Sequence, residues 1–299
     1  MKAVRPGFPF ARLFIIGLLA AGRVSASETA GGDSAAPPHR LALELAREGD
    51  AAGSALEYRR LALASDDSRD RAGWHLAAAW SYLDAETPER AERQLDAAEA
   101  SGRDAAAPVL VLRARAAEAL RQPSTAAYFW QAALAAPEPD ARRFAARRLA
   151  ALRIREHNRE DAESALRASG GDETSALEAV DRWANAARRS PRIGGLLGLV
   201  PGLGYAYSGE YANAARSAIL NGLFLWIMAR CADDDEWGVF ALAAFFEFTW
   251  YSGSIYGGID AAHRHNRRID QRAEREILGD TDMQLDPGPL PLIRFNYRF

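Results

Sequence analysis

The residues of this chain with the types to do chemistry are five histidines, one cysteine and an acidic run. Metal ligands carried on one helix must stand three or four residues apart to share a face. His263 and His265 stand two apart, so they point to different faces, and His39, His75 and His157 are scattered. Asp233, Asp234, Asp235 and Glu236 carry enough charge for a cation, but they fall between two apolar stretches and read as a solvated turn. The knot at Pro201, Gly202, Leu203 and Gly204 lacks the Lys-Ser/Thr pair of a phosphate loop and follows no strand. No Ser/His/Asp or Cys/His arrangement can be built from these spacings. The chain reads as a non-enzyme with no cofactor, no metal site and no evident small-molecule substrate.

The elements that would position any site are helices. At 299 residues there is room for two modest domains, and a net charge of −3 gives no sign of nucleic-acid binding. At the N-terminus Lys2, Arg5 and Arg12 precede the apolar run Leu13 to Ala21, and Val24 and Ala26 are small residues placed for cleavage. This order is that of a secretory signal over 1–26, followed by a Gly/Ser/Pro-rich flexible leader over 27–39. Cys231, the only cysteine, excludes an internal disulfide.

From Arg40 to Ser190 apolar residues recur at three- and four-residue spacing among many alanines and arginines, which predicts helix throughout. A small–large–small pattern repeats: Ala91, Leu95, Ala98; then Ala126, Trp130, Ala133; then Ala162, Leu166, Ser169. A weaker first copy is Ala55, Arg59, Ala62, and the leading alanines lie 36, 35 and 36 residues apart. Each copy follows another helical segment, so the unit is a helical hairpin. This resembles the tetratricopeptide repeat, with its period of about 34 residues, although no copy has the full Trp-Leu-Gly-Tyr set and Arg59 stands at a normally apolar position. The resemblance implies a solenoid over 40–190 with a concave groove, and places Arg115, Arg147 and Arg155 in it. Such a groove would suit an acidic peptide or a chain-terminal carboxylate of a protein partner. Asp172 to Pro191 reads as a closing helix, capped by Asp172, ended by Pro191 and sealed by Trp183.

Beyond it, Tyr211 to Ala232 and Trp237 to Ile259 are apolar and of about bilayer length, near 20 residues, with Tyr207, Tyr211, Trp237, Tyr251 and Tyr256 near their ends. They predict a transmembrane helical hairpin within 193–268, turning at Asp233 to Glu236. Asn221 and Glu247 fall at matching depth and form an intramembrane polar pair, with Glu247 neutral or bonded to Asn221 and Arg216 near by. The knot breaks a shorter apolar segment, and its glycines allow close approach to Gly253–Gly258. Pro201, Gly202, Gly204, Tyr207 and Gly209 before two such helices resemble the small two-helix domains of bacterial membrane proteins found near the membrane protein insertion efficiency factor family. Tyr205 departs from that pattern, where relatives often carry Gln.

The remaining 269–299 reads as a charged helix to Leu278, a loop, and an extended tail in which Ile293, Phe295, Tyr297 and Phe299 alternate. The whole is therefore expected to be all-α, a TPR-like helical-hairpin solenoid followed by a membrane hairpin. The expected function is a membrane-anchored adaptor of the bacterial cell envelope that binds protein partners through its repeats. The alternative is a membrane-protein biogenesis or translocation component acting through its helix pair. The signal places the repeats in the periplasm and the chain in the inner membrane as a multi-pass protein; without a signal the repeats would be cytoplasmic.

Overall fold

The computed structural model describes residues 38–102 and 107–279, together with the backbone of two strands within 281–286 and 292–297. The expected signal, and the leader up to residue 37, lie outside the described residues. Among the described residues the chain is all-α apart from that one strand pair.

The first eight helices run in consecutive antiparallel contacts: α1 (Arg40–Glu48), α2 (Ala51–Ala64), α3 (Ser68–Asp84), α4 (Pro88–Ala100), α5 (Ala107–Ala119), α6 (Pro123–Ala133), α7 (Pro139–Arg155) and α8 (Arg159–Ala168). One turn recurs between α1 and α2, α3 and α4, α5 and α6, and α7 and α8. Gly49, Glu86, Arg121 and His157 each take a left-handed conformation there, at φ 85°, 54°, 58° and 57°. The following N–H, of Asp50, Thr87, Gln122 and Asn158, donates back across the turn to Leu45, Tyr82, Ala117 and Arg153, each at 2.9 Å. This is the Schellman closure, which satisfies a carbonyl left open at a helix end. The backbone thus repeats with the period read from the alanines.

Packing follows the same period. Ala91, Leu95 and Ala98 of α4, Ala126, Trp130 and Ala133 of α6, and Ala162 and Leu166 of α8 are all fully buried. Small residues let the helices approach while Leu95, Trp130 and Leu166 fill the space between. In α2 Ala55 and Ala62 are buried as in the other copies, but the large residue between them is Tyr58 rather than residue 59. Tyr58 is buried and stacks on Trp74 at 6.1 Å, and Arg59 faces out.

α9 (Thr174–Ala184) is shorter than the expected closing helix. Asp172 accepts from the Thr174 N–H and hydroxyl rather than capping the helix itself, and Pro191 starts the next helix instead of ending this one. Its ring, with no N–H to bond, fits a first helical turn, where that donor has no partner anyway. Trp183 is buried as expected, stacked on His157 and donating to Asp270 at 2.8 Å.

α10 (Pro191–Leu197) and α11 (Leu203–Tyr207) are joined through the knot, and α12 (Tyr211–Asp233) leads to α13 (Trp237–Leu278). The apolar stretch from Trp237 and the charged helix ending at Leu278 are one element: α13 runs 42 residues in one piece. Its first half packs on α10, α11 and α12, and its second half on α9 and α7. The knot is explained by backbone contact. A Cβ at Gly204 would lie 2.5 Å from the Gly194 carbonyl oxygen and 2.8 Å from the Gly258 Cα, so only hydrogen fits where α11 crosses α13. Gly202 combines φ 88° with a similar approach to Ala214.

The transmembrane hairpin is not upheld. No described helix is long and apolar enough to cross a membrane. α12 carries Arg216, Asn221 and Arg230 within its span, and α13 carries Glu247, Thr249, Ser252 and Ser254 within its aromatic stretch. Aromatic and small residues make these helices look apolar, yet their mean hydropathy stays too low, because each charge at bilayer depth would cost several kcal/mol, about 2.5–3.5 on insertion scales. The multi-pass inner-membrane placement, and the side of the membrane assigned to the repeats, fall with it. Asn221 and Glu247 are consequently buried polar residues of helices in contact, not an intramembrane pair.

The tail departs from the expected loop in one respect. β1 (Thr281–Asp286) pairs antiparallel with β2 (Leu292–Tyr297), with Met283 opposite Phe295. β2 runs past α7 and α3, so this part of the tail lies along the repeats.

Candidate functional site: an arginine cleft

The three arginines assigned to a groove by resemblance are all engaged within the chain. Arg147 donates to Glu173 at 2.7 Å, and that carboxylate is almost completely buried between Arg147 and Arg143. Arg155 donates to Glu274 of α13 at 2.8 Å. Arg115 lies 4.9 Å above the Trp80 ring. The structure spreads them along α5 and α7 and does not bring them together as a site.

Another set converges instead. α2, α3 and α4 enclose a cleft of about 660 Å³ lined by apolar Leu56, Leu63 and Ala97, by His75, Tyr82 and Gln94, and by Arg59, Arg90 and Arg93. α3 supplies the floor, since His75 and Tyr82 are buried, and α2 and α4 supply exposed arginines on either wall. The recurring turn at Glu86 folds α4 back on α3 and thereby sets Arg90 and Arg93 over that floor. Arg90 sits 6.0 Å from the Tyr82 ring centre, so one side of its guanidinium rests on the floor.

His75 Nδ1 lies 3.0 Å from Gln94 Oε1, within hydrogen-bonding distance. Burial pushes the His75 pKa below its usual value against the bond to Gln94, and the fields of Arg59 and Arg71 push the same way. At neutral pH the ring is uncharged, and the cleft's positive charge comes from arginine.

Charge balance in this cleft differs from that around the enclosed arginines. Arg113, by contrast, is largely enclosed and held by Glu92, Asp96 and Glu99 at 2.7–2.8 Å. Among the described residues Arg59, Arg90 and Arg93 form no ion pair, and no carboxylate lines the cleft. Three guanidinium groups around an open, partly apolar cleft can take carboxylates or phosphates through paired N–H donors. The sequence did carry a signal for it: Arg59, standing where the repeat wants an apolar residue.

The knot residues have structural roles. Tyr207 accepts from the Ser190 N–H at 3.1 Å beneath Arg189, and Gly209 turns the chain into α12 at φ 79°. Pro201 and Gly202 form the turn into α11, with the Gly202 N–H donating to Ser254 at 3.3 Å. Asn221 and Glu247 are both buried; Asn221 donates to the Ser217 carbonyl at 2.7 Å. Arg216 bonds weakly to Asn213, not to Glu247. Asn221 Oδ1 and Glu247 Oε2 are left without partners, and burial raises the Glu247 pKa.

Comparison with protein-family models, with curated proteins and with solved structures finds no match.

Proposed function

We propose that this chain is a binding scaffold, a tetratricopeptide-like stack of helical hairpins that recruits a protein partner by holding an acidic segment of it in the arginine cleft. The observation that carries the reading is the convergence of Arg59, Arg90 and Arg93, unpaired, around a cleft with an apolar lining. The role of the arginines is to receive carboxylates; that of Leu56 and Leu63, both half or more exposed, is to cover an apolar side chain between them. Partner binding moves from Arg115, Arg147 and Arg155 to this cleft because those three already have internal partners. No reaction is assigned to the protein.

The test is an anisotropy titration of the full chain against a labelled peptide of alternating Glu and Leu residues, with inorganic phosphate and ATP as competitors. Binding should weaken several-fold between 50 and 200 mM salt, about the range over which exposed charges become screened. Phosphate should compete only at millimolar level. Tight displacement by ATP, or binding indifferent to salt, would contradict a cleft built for acidic protein segments.

A further inference from the structure

The hairpin of α12 and α13 has a use that the cleft does not explain. The two helices touch along one seam, where Asn221, Ala243, Glu247 and Ser254 are buried. Outside that seam Trp226, Trp237, Leu242, Phe245, Phe248 and Trp250 are each more than half exposed. One such aromatic presents about 150–250 Å² when fully bare, so the apolar surface spread around the hairpin exceeds the few hundred Å² that a monomer ordinarily leaves open.

Charge along the hairpin is segregated. At its tip Asp233, Asp234, Asp235 and Glu236 are exposed, with only Arg230 close, 3.7 Å from Asp234. At its base stand Arg192, Arg216, Arg264, Arg267 and Arg268, against Glu210 and Asp260. Tip and base are separated by the 23 residues of α12, about 35 Å at helical rise. On the base half a groove of about 370 Å³ opens between the helices, lined by Tyr205, Arg216, Leu220, Asn221 and Trp250.

From these observations we infer that the occupant of this surface is the hairpin of a second copy, docked antiparallel about a two-fold axis. Only that orientation sets the acidic tip of each copy on the basic base and groove of the other, and does so twice through one self-complementary interface. A parallel pair would stack acid on acid and base on base. Those exposed aromatic side chains between the two ends that point toward the partner are covered by it.

The full chain at 150 mM salt should show twice the chain mass by light scattering. A tip variant (Asp233→Arg, Asp235→Arg, Glu236→Arg) and a base variant (Arg192→Glu, Arg216→Glu, Arg267→Glu) should each run at single-chain mass. Mixed, they should form a one-to-one pair, since reversed tip then meets reversed base and native tip meets native base. A second arm uses single exposed sites that do not strain the fold. In a Cys231→Ser background, Glu236→Cys mixed with Arg192→Cys should cross-link on oxidation, and neither should cross-link with itself. A wild-type chain at single-chain mass, including one that lipid vesicles capture, would overturn the inference. So would self-cross-linking of Glu236→Cys.

Discussion

Arg155 of α7 donates to Glu274 of α13 at 2.8 Å, across 119 residues of sequence, and so ties the repeats to the chain's last helix. The bond marks this contact but does not supply most of its stability. Arg155 is more than half exposed, and an exposed ion pair contributes about 0–1 kcal/mol. Ile277, one helical turn beyond Ala273 in the same core, is fully buried. Ile277→Ala should therefore cost about 2–5 kcal/mol, and Arg155→Ala less than about 1. Urea denaturation of the two variants checks the order; an equal or reversed order would mean that α13 is held by charge.

Trp130 fills the space between hairpins, with its indole N–H donating to Glu118 at 2.9 Å and its ring 5.9 Å from Phe144. Trp130→Ala should lose about 3–5 kcal/mol, the usual range for a buried aromatic. A melting midpoint lowered by only a degree or two would place Trp130 outside the core.

The recurring turn yields a prediction of opposite sign. Arg121 is exposed and sits at φ 58°, where a side chain is disfavoured by about 1 kcal/mol and glycine is not. Arg121→Gly should leave stability unchanged or raise it, whereas Arg153→Gly in the last turn of α7 should lower it. Thermal unfolding of both variants decides, and a clear loss at Arg121 would contradict the turn.

The hairpins were legible because their spacing is set by packing: a small residue is needed wherever two helices approach, and that need recurs with each unit. The cleft was harder to see. Arg59 was visible as an exception, but its convergence with Arg90 and Arg93 depends on Tyr58 taking the buried position between Ala55 and Ala62. The knot's close approach to Gly258 was legible from glycine alone, because no other residue allows backbone to meet backbone. The membrane reading failed because aromatic content imitates a lipid-facing helix, whereas Arg216, Asn221, Arg230 and Glu247 decide the hydropathy. The continuity of α13 was hidden by its change from apolar to charged composition, which separated the stretch ending at Ile259 from the charged helix beyond Arg268.

Two carboxylates should give stability opposite dependences on pH. Arg264 holds Glu210 down to about 2, with Asn213 and Arg268 assisting. That contribution is present above the usual carboxylate value and is lost as pH falls toward about 2. Burial raises Glu247, so its contribution is present at low pH and is lost as pH rises through the raised value. Glu247→Gln should remove the loss on the alkaline side and leave the acid side unchanged, and Glu210→Gln should do the reverse. Unfolding free energies between pH 3 and 8 test the pairing, a tenfold difference in proton affinity between folded and unfolded chain being worth about 1.4 kcal/mol. The same profile for all three proteins would refute it.

The most direct measurement of the central claim compares two triple variants of equal charge in the anisotropy titration with the acidic peptide. Arg59→Ala, Arg90→Ala, Arg93→Ala empties the cleft of its guanidinium groups, and Arg47→Ala, Arg69→Ala, Arg121→Ala removes the same charge from exposed positions away from it. Charge-assisted bonds contribute about 1.5–3 kcal/mol each, so the cleft variant should lose at least a hundredfold in affinity while the control stays within about twofold of the native chain. Equal losses in the two variants would show that the peptide follows net charge, and that the arginine cleft is not the binding site.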